Sequence, residues 1–294
     1  MIFVVIPARN RKEYLIQALK SLFDQTYKKI KVIVTDDGST DGLEEAVSKK
    51  FPKVIILKGD GNLWWTGGAR KGINYAKKLW KKDDFVLMQN QDTYMPKDYL
   101  ATLVKESTEH NRIIVGTTTK SFNTKKIIAN SHSIVKGLYR PQIVSIDPKS
   151  EIHFKTDTLN TRGTLIPVEV FKKLDNFSTT FPHYGADYDF FCRARENGFT
   201  LAISNKAVTY SLDDNKGLAY QIKHKDKVSF SDVKDLFLSR RSPNNIYTSV
   251  PMITLHVPFP QKLLGYFMYF GYILKFILVD YMFKNIISVF KRNA

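Results

Sequence analysis

An acidic pair, Asp36 and Asp37, ends the run Lys31-Val32-Ile33-Val34-Thr35 and is followed by Gly38-Ser39-Thr40-Asp41. The apolar, β-branched run reads as a buried strand, and Gly38 permits a sharp turn after it. Carboxylates at the carboxyl end of such a strand stand where open α/β sheets bind ligands. They can accept hydrogen bonds from a nucleotide base or ribose, hold a divalent cation, or only solubilise the turn. Phe85-Val86-Leu87-Met88 repeats the pattern and ends in Gln89-Asn90-Gln91-Asp92. A third acidic stretch, Ala186-Asp187-Tyr188-Asp189, opens a helix among Tyr184, Tyr188 and Phe190. Partial desolvation by these aromatics raises the basicity of a carboxylate there. One of Asp187 and Asp189 can cap the helix while the other reacts.

The loop Gly59-Asp60-Gly61-Asn62-Leu63-Trp64-Trp65-Thr66-Gly67-Gly68 places two tryptophans beside glycines that allow close approach of a ligand or of backbone. Either both rings cover the core or one walls a sugar or nucleotide pocket. His256 is a candidate metal ligand in the C-terminal region, set against the commoner structural role of an isolated histidine. The single cysteine, Cys192, excludes an intrachain disulfide, fits a reducing compartment and reads as core. No Ser/His/Asp set or zinc-ligand spacing stands out, and Gly67-Gly68 lacks the Gly-Lys-Ser/Thr ending of a Walker loop.

The elements that must position these residues alternate. Phe3–Ile6 is a strand too short for a signal peptide, followed by a helix from about Lys12 to Gln25 with Leu15, Ala18, Leu19 and Phe23 on one face. The strand ending at Asp36 leads to a helix over Asp41–Lys50, with Asp41 and Glu44 as a capping pair. Val54–Leu57 is the next strand, a helix spans about Gly68–Lys81, and Pro96 opens a helix to about Glu109. This order predicts parallel strands joined by right-handed crossovers, a Rossmann-like half over residues 1–110. Over 111–214, Ile113–Gly116, Ile127–Ala129 and Ile143–Ile146 read as an antiparallel insertion covering one edge. Val168–Leu174 is a helix, the helix after Asp187 closes at Gly198, and Leu201–Ser204 and Ala207–Tyr210 are the last strands.

A 43% hydrophobic content excludes a disordered chain, and a formal charge of +17 points to an anionic partner: nucleic acid, anionic lipid or a sugar nucleotide. Residues 215–294 form a basic, then apolar and aromatic region. Leu263–Leu274 is uncharged but shorter than the roughly 20 residues of a membrane span, so Gln261–Lys291 reads as an interfacial helix anchored by basic residues. The alternative is an ordinary core helix.

Pro7-Ala8-Arg9-Asn10 after a strand, Asp36-Asp37-Gly38-Ser39-Thr40-Asp41, Asn90-Gln91-Asp92 and Gly185-Ala186-Asp187-Tyr188-Asp189-Phe190 occur in order over about residues 3–210. Together they resemble the family-two inverting glycosyltransferases of the GT-A fold, in particular a bacterial surface-polysaccharide subgroup with a Leu-Trp-Trp-Thr-Gly loop. The resemblance implies an α/β mixed sheet flanked by helices, here with a C-terminal helical, membrane-associating extension. It implies transfer of a sugar from a UDP- or dTDP-sugar to a hydroxyl of a polysaccharide or lipid-linked acceptor, at the cytoplasmic membrane face.

Pro7, Ala8, Arg9 and Asn10 would border the nucleotide, with Asp36 or Asp37 on uracil or ribose. Asn62, Trp65, Gly67, Gly68, Arg70, Asn90, Gln91 and Arg162 would complete the donor site. Asp92, with His256, would bind Mg²⁺ or Mn²⁺, although an amide, Asn90, replaces the first carboxylate of the family's Asp-x-Asp element. Asp187 would be the catalytic base, with Ala186 in place of the usual preceding Glu. Two competing classes remain. A sugar-phosphate nucleotidyltransferase would carry a glycine-rich loop after the first strand, which Pro7-Ala8-Arg9-Asn10 lacks. A nucleic-acid-binding protein would interleave its charge with aromatics on one module, whereas the basic residues here are dispersed, so no nucleic-acid partner is expected.

Overall fold

The computed structural model describes residues 1–129, 132–134, 141–143, 149–154, 156–213, 217–283 and 285. The first half runs β1 (Ile2–Ala8), α1 (Lys12–Phe23), β2 (Ile30–Asp36), α2 (Leu43–Lys50), β3 (Ile55–Lys58), α3 (Trp64–Lys77), β4 (Phe85–Met88), β5 (Thr93–Tyr94) and α4 (Tyr99–Glu109). Then come β6 (Ile114–Ser121), β7 (Ile127–Ala129), β8 (His132–Ile134), β9 (Pro141–Ile143), β10 (Ile152–His153), β11 (Thr164–Pro167), α5 (Val168–Leu174), α6 (Ala186–Glu196) and β12 (Leu201–Ser211). The chain continues as α7 (Leu218–Lys223), α8 (Phe230–Leu238), α9 (Ile246–His256), α10 (Gln261–Lys275) and a π-helical segment, Phe276–Phe283.

Two compact units result. The first comprises Met1–Ser133, Gln142–Pro182 and Ala186–Asp214; the second comprises Ile134–Pro141, His183–Gly185 and Asn215–Ala294. The first unit holds a mixed sheet in the order β10-β12-β6-β11-β4-β1-β2-β3. β1 lies between β2 and β4, parallel to both, with Ala8 opposite Asp36 and Val5 opposite Met88. All seven β1 residues are buried, as expected of a strand covered on both faces. Ile2, Val4 and Ile6 pack with Leu15, Leu19 and Leu22 of α1, and Phe3 packs with Ile33 and Ala76 on the opposite face.

The parallel half matches the alternation in the sequence, and the outer half corrects it. Ile113–Gly116 is no edge insertion: β6 lies inside the sheet, antiparallel to β11 and parallel to β12. The two expected last strands are one strand, β12, with a register shift between Ser204 and Val208. There the Ser204 hydroxyl bonds Glu106 and takes the Ala207 amide, so a bulge interrupts the alternation without ending the strand. Ile143 closes β9, while Val144–Ile146 lie outside the described residues.

Helix starts also differ. α3 begins at Trp64 rather than Gly68, and α4 begins at Tyr99, three residues after Pro96. α2 begins at Leu43 with Gly42 as its N-cap, and Asp41 instead accepts the Lys12 amide at the start of α1 (2.8 Å). The expected capping pair is thus replaced by a cap across to the neighbouring helix. Gly198, at φ +85°, does close α6.

In the second unit, Ile222, Val228, Leu236, Phe237 and Phe276 form a small core. Gln261–Met282 is a continuous helical stretch of 22 residues with mean hydropathy 1.5, long and apolar enough to cross a membrane, with 11% of its apolar window buried. The π-helical continuation makes it longer than the uncharged run alone indicates; the tail beyond Asn285 lies outside the described residues.

α3 is seated directly on β1. A Cβ at Gly72 would stand 2.5 Å from Val5 Cγ1, on the fully buried central strand. Helix propensity alone favours Gly72→Ala by about 1 kcal/mol, but overpacking a rigid core costs about 1–3 kcal/mol. Gly72→Ala is therefore expected to lower the urea midpoint; a raised midpoint would show that α3 can lift without cost.

Candidate active site

The parallel register brings the loops after β1, β2 and β4 to one edge of the sheet. Hydrogen bonds then knit them together. The Asn10 amide donates to Ser39 Oγ (2.9 Å), and Asn10 Oδ1 accepts the Thr40 amide (2.8 Å). Gln91 clamps the β1 loop through its amide group. Its Oε1 accepts the Arg9 amide (2.9 Å) and its Nε2 donates to the Arg9 carbonyl (3.3 Å). Pro7 and Ala8 belong to β1 itself, and Gly68 lets α3 approach Pro7, where a Cβ would meet Pro7 Cβ at 3.1 Å.

Asp36 and Asp37 divide the work. Asp36 Oδ1 accepts the amide and hydroxyl of Ser39 and so fixes the turn. Asp37, 4% exposed, accepts the amides of Gly61 (2.9 Å), Leu63 (3.1 Å) and Trp64 (3.0 Å). It is the N-terminal cap of α3, supplied from a different strand, and it holds Trp64 at φ +56°. Arg9 lies 3.9 Å from Asp37 and donates to the Gly61 carbonyl. Trp65 then directs its indole N–H to Asn90 Oδ1 (3.2 Å) and its edge to Phe177, with ring centroids 5.2 Å apart. Asn62 is exposed at the loop tip.

Arg70 and Gly67 stand elsewhere. The Arg70 guanidinium donates to the Phe177 carbonyl, and both residues line a cavity of about 620 Å³ on the outer side of α3.

Asp92 sits at the end of the β4 loop beside a residue that the motifs did not mark. Arg11 Nη1 lies 3.5 Å from Asp92 Oδ2 and also bonds Asp213 Oδ2. The Leu212 amide donates to the Asp92 carbonyl (2.8 Å), drawing the end of β12 to this point. Asp92 Oδ1 is buried without a hydrogen-bond partner. A buried, unpartnered carboxylate oxygen next to a second carboxylate suits a hard divalent cation, which takes one or two protein carboxylates and completes its shell with phosphate oxygens and water. Among the described residues no group of three or more His, Cys, Asp or Glu could hold a metal unaided. His256 is the last residue of α9, in the second unit, and has an interaction of its own.

Asp187 opens α6 on the first unit. Its carboxylate accepts the Tyr188 amide (3.0 Å), and Arg162 and the Thr161 amide act on it. Arg162 precedes Gly163, whose amide bonds the Met88 carbonyl at the end of β4, so Asp187 belongs to the edge that carries Asn90–Asp92. Burial dominates these contacts and pushes the Asp187 carboxyl up to about 6, although the side chain keeps some solvent contact. Asp189, 2% exposed, is instead neutralised by Arg193 at 2.9 Å. The arrangement offers a carboxylate of raised basicity, a pair of carboxylates sharing one arginine, and a tryptophan-bearing loop, all on one sheet edge.

Residues 3–174, more than half of the chain, match the profile described as Glycosyl transferase family 2. The chain belongs to glycosyl transferase family 2. An uncharacterized glycosyltransferase of Rickettsia bellii is 31% identical over 199 residues, 64% of this chain and 26% of that protein. Glycosyltransferase GlyA of Streptococcus pneumoniae is 28% identical over 141 residues, 47% of this chain and 19% of that protein. The chain thus spans about a quarter of the first of these relatives and less of the second. Among solved structures, GalNAc-T7 with UDP, GalNAc and Mn²⁺ superposes with a TM-score of 0.61 at 14% identity, covering 98% of this chain and 57% of that one. TarS 1–349 of S. aureus in complex with UDP gives 0.52 at 20% identity, covering 81% and 70%. At these identities the likeness shows the fold, which is GT-A.

Within this family-two domain, Arg11 and Asp213 are the neighbours of Asp92 that the motifs did not mark. Asp213 carried a readable signal, a carboxylate just past an apolar strand, the same signal that marks Asp37 and Asp92. Arg11 carried none, because its partners lie 81 and 202 residues away in sequence.

Asp37 and Asp92 are expected to separate in unfolding experiments. Asp37→Ala strips the acceptor from three amides and lowers stability by about 1–3 kcal/mol. Asp92→Asn keeps the side chain's shape and strips no backbone amide of its acceptor, and Arg11 retains Asp213, so stability is expected to stay nearly unchanged. Equal losses in guanidinium melts of the two variants would contradict this division.

Proposed function

We propose that this chain is an inverting glycosyltransferase that moves a sugar from a UDP- or dTDP-sugar to a hydroxyl of a polysaccharide or lipid-linked acceptor. The observation that carries the reading is Asp187. It is a carboxylate raised to about 6 by desolvation, on the sheet edge that also holds Asp92 and Asp213. The family match and the two UDP-bound structures of the same fold support a uridine nucleotide donor.

In the transfer, the acceptor hydroxyl attacks the anomeric carbon in line with the leaving diphosphate. The new C–O bond forms as the anomeric C–O(phosphate) bond breaks, and Asp187 takes the hydroxyl proton. Asn10, Asp36 and the Asp37-capped loop border the nucleotide, with Trp65 and Asn90 as one wall of the donor site. Arg9, Arg11 and Arg162 supply positive charge along the edge. Asp92 and Asp213 would hold a Mg²⁺ or Mn²⁺, which supplies charge neutralisation to the departing diphosphate. GalNAc-T7 with Mn²⁺ supports the cation, and we assign Asp213, rather than His256, as the second ligand.

The C-terminal region supports a place at the inner face of the cell membrane. Leu263, Phe267, Phe270, Leu274 and Leu278 form an exposed apolar stripe on α10 and its continuation, with Phe267 75% exposed. Tyr272, Ile273 and Phe276, on another side, pack on the core of the second unit. Such a stripe is costly in water and at home in the acyl boundary, and the positive charge of the chain suits anionic headgroups.

Asp187→Asn should abolish transfer while UDP-sugar binding, measured by calorimetry, persists; unchanged turnover would remove Asp187 from the base role. In the wild type the base must be ionised, so kcat should fall as pH drops through about 6, whereas a limb near the ordinary carboxylate range would contradict the assignment. The sign for stability is opposite. A carboxyl raised in the folded state favours folding while protonated and loses that advantage as pH rises through its folded value, so Asp187→Asn should melt higher than wild type at neutral pH. Leu263→Glu/Phe267→Glu should reduce co-sedimentation with phosphatidylglycerol vesicles and leave soluble-acceptor turnover intact; undiminished sedimentation would refute the α10 anchor.

A further inference from the structure

α3 serves two sites. Trp65 reaches the strand-end edge, while Arg70, Lys71, Asn74, Tyr75 and Lys78 recur at helical spacing along the opposite, outer face. On an ordinary surface helix such a face is merely solvated. Here it is the wall of the cavity of about 620 Å³, bounded by Leu57 of β3 on one side and by Thr179 and Pro182 on the other. That volume lies in the range of sites for small organic ligands.

The cavity is cationic and carries no carboxylate. Its lining residues include one arginine and two lysines but neither Asp nor Glu. Arg70 spends one N–H on the Phe177 carbonyl and keeps the rest of its fork. Lys71 reaches the Lys58 carbonyl, which leaves its charge unneutralised. Asp175 lies within electrostatic range of Arg70, yet its carboxylate is paired with Lys77 and stands 74% exposed. The remaining wall is suited to a sugar ring: Tyr75 and Asn74 offer polar groups, and Leu57, Leu63 and Pro182 offer an apolar floor.

Across the helix from the strand-end edge, this combination calls for an oxyanion joined to a saccharide. We propose that the cavity is a second ligand site, separate from the donor site, that takes a phosphorylated saccharide, either a free sugar phosphate or the phosphate-bearing part of a longer glycan. The site is also mechanically connected to the segment that leads to α6. Thr66, on the cavity wall, donates its hydroxyl to the Phe181 carbonyl and its amide to the Pro182 carbonyl (3.1 Å). A ligand seated against Pro182 therefore bears on the chain just before Asp187.

The proposal does not require the transfer reading, because binding is measured without turnover. The full chain, saturated with UDP, is titrated by calorimetry with glucose 1-phosphate and, in parallel, with a phosphodiester-linked oligosaccharide. Saturable binding that UDP leaves unchanged is expected, with glucose alone at least tenfold weaker. Tighter binding of the monomer identifies a free sugar phosphate as the source, and tighter binding of the oligosaccharide identifies the glycan. Lys71→Glu/Lys78→Glu should weaken binding by about tenfold or more, because two charge-assisted contacts become repulsive. Lys49→Glu/Lys50→Glu, the same charge change on exposed residues of α2, should alter it less than about twofold. Displacement by UDP, equal weakening by both double variants, or no binding of either phosphorylated probe would overturn the proposal. Circular dichroism of each variant separates loss of the site from loss of the fold.

Discussion

Everything at the strand-end edge depends on where β1 sits. Held between β2 and β4 in parallel register, with Ala8 against Asp36, it forces three loops of unrelated sequence to emerge side by side. The packing that fixes this register is dry and close on both faces: leucines of α1 on one side, the glycine face of α3 on the other. A slip of one residue would turn every buried side chain of β1 to the opposite face, so the register is strongly specified. The polar network of Asn10, Ser39, Thr40 and Gln91 is then assembled on that scaffold.

That scaffold gathers more negative charge than an apolar edge tolerates, and arginines from the same loops offset it. Arg9 approaches Asp37, Arg11 bridges Asp92 and Asp213, and Arg162 acts on Asp187. The balance is uneven by residue. Asp37 has all its demand met by backbone amides, whereas Asp92 keeps one buried oxygen unpartnered. Unmet demand is where a ligand contributes the most, since the protein has already lost the hydration of that oxygen. Asp37 therefore shapes the site, and Asp92 is the member available to bind.

Local patterns in the sequence were enough to read the parallel half, the acids at its strand ends and the glycine stop of α6, because each follows from a period or from one residue's conformational preference. The misreadings share a different cause. α3 starts at Trp64 because a carboxylate from another strand caps it and holds Trp64 in the left-handed region, an arrangement no local signal announces. β12 reads as two strands because Ser204 answers to Glu106 across 98 residues. Asp41 caps α1 instead of α2, and Arg11 finds both its partners through tertiary structure. The family resemblance places Arg70 at the donor site; in the structure its guanidinium bonds the Phe177 carbonyl and lines the cavity beside α3. That placement follows from the turn of about 100° per helical residue and not from any motif.

Asp187 and Asp189 show how far environment, not residue type, decides a role. They stand two apart on one helix and so point to different sides of it. Asp189 meets Arg193, whose guanidinium also donates to the Leu174 and Asn176 carbonyls, and the charge is fully compensated inside the fold. Asp187 accepts the Tyr188 amide, with weaker help from its own and the Thr161 amides and from Arg162, and together these are too little to offset its burial. An amide side chain in its place would carry no charge and so would escape the desolvation cost that raises the Asp187 carboxyl. A carboxylate left ionisable against its own desolvation has the basicity that proton transfer near neutral pH calls for, and this is the property on which the proposed base role of Asp187 rests.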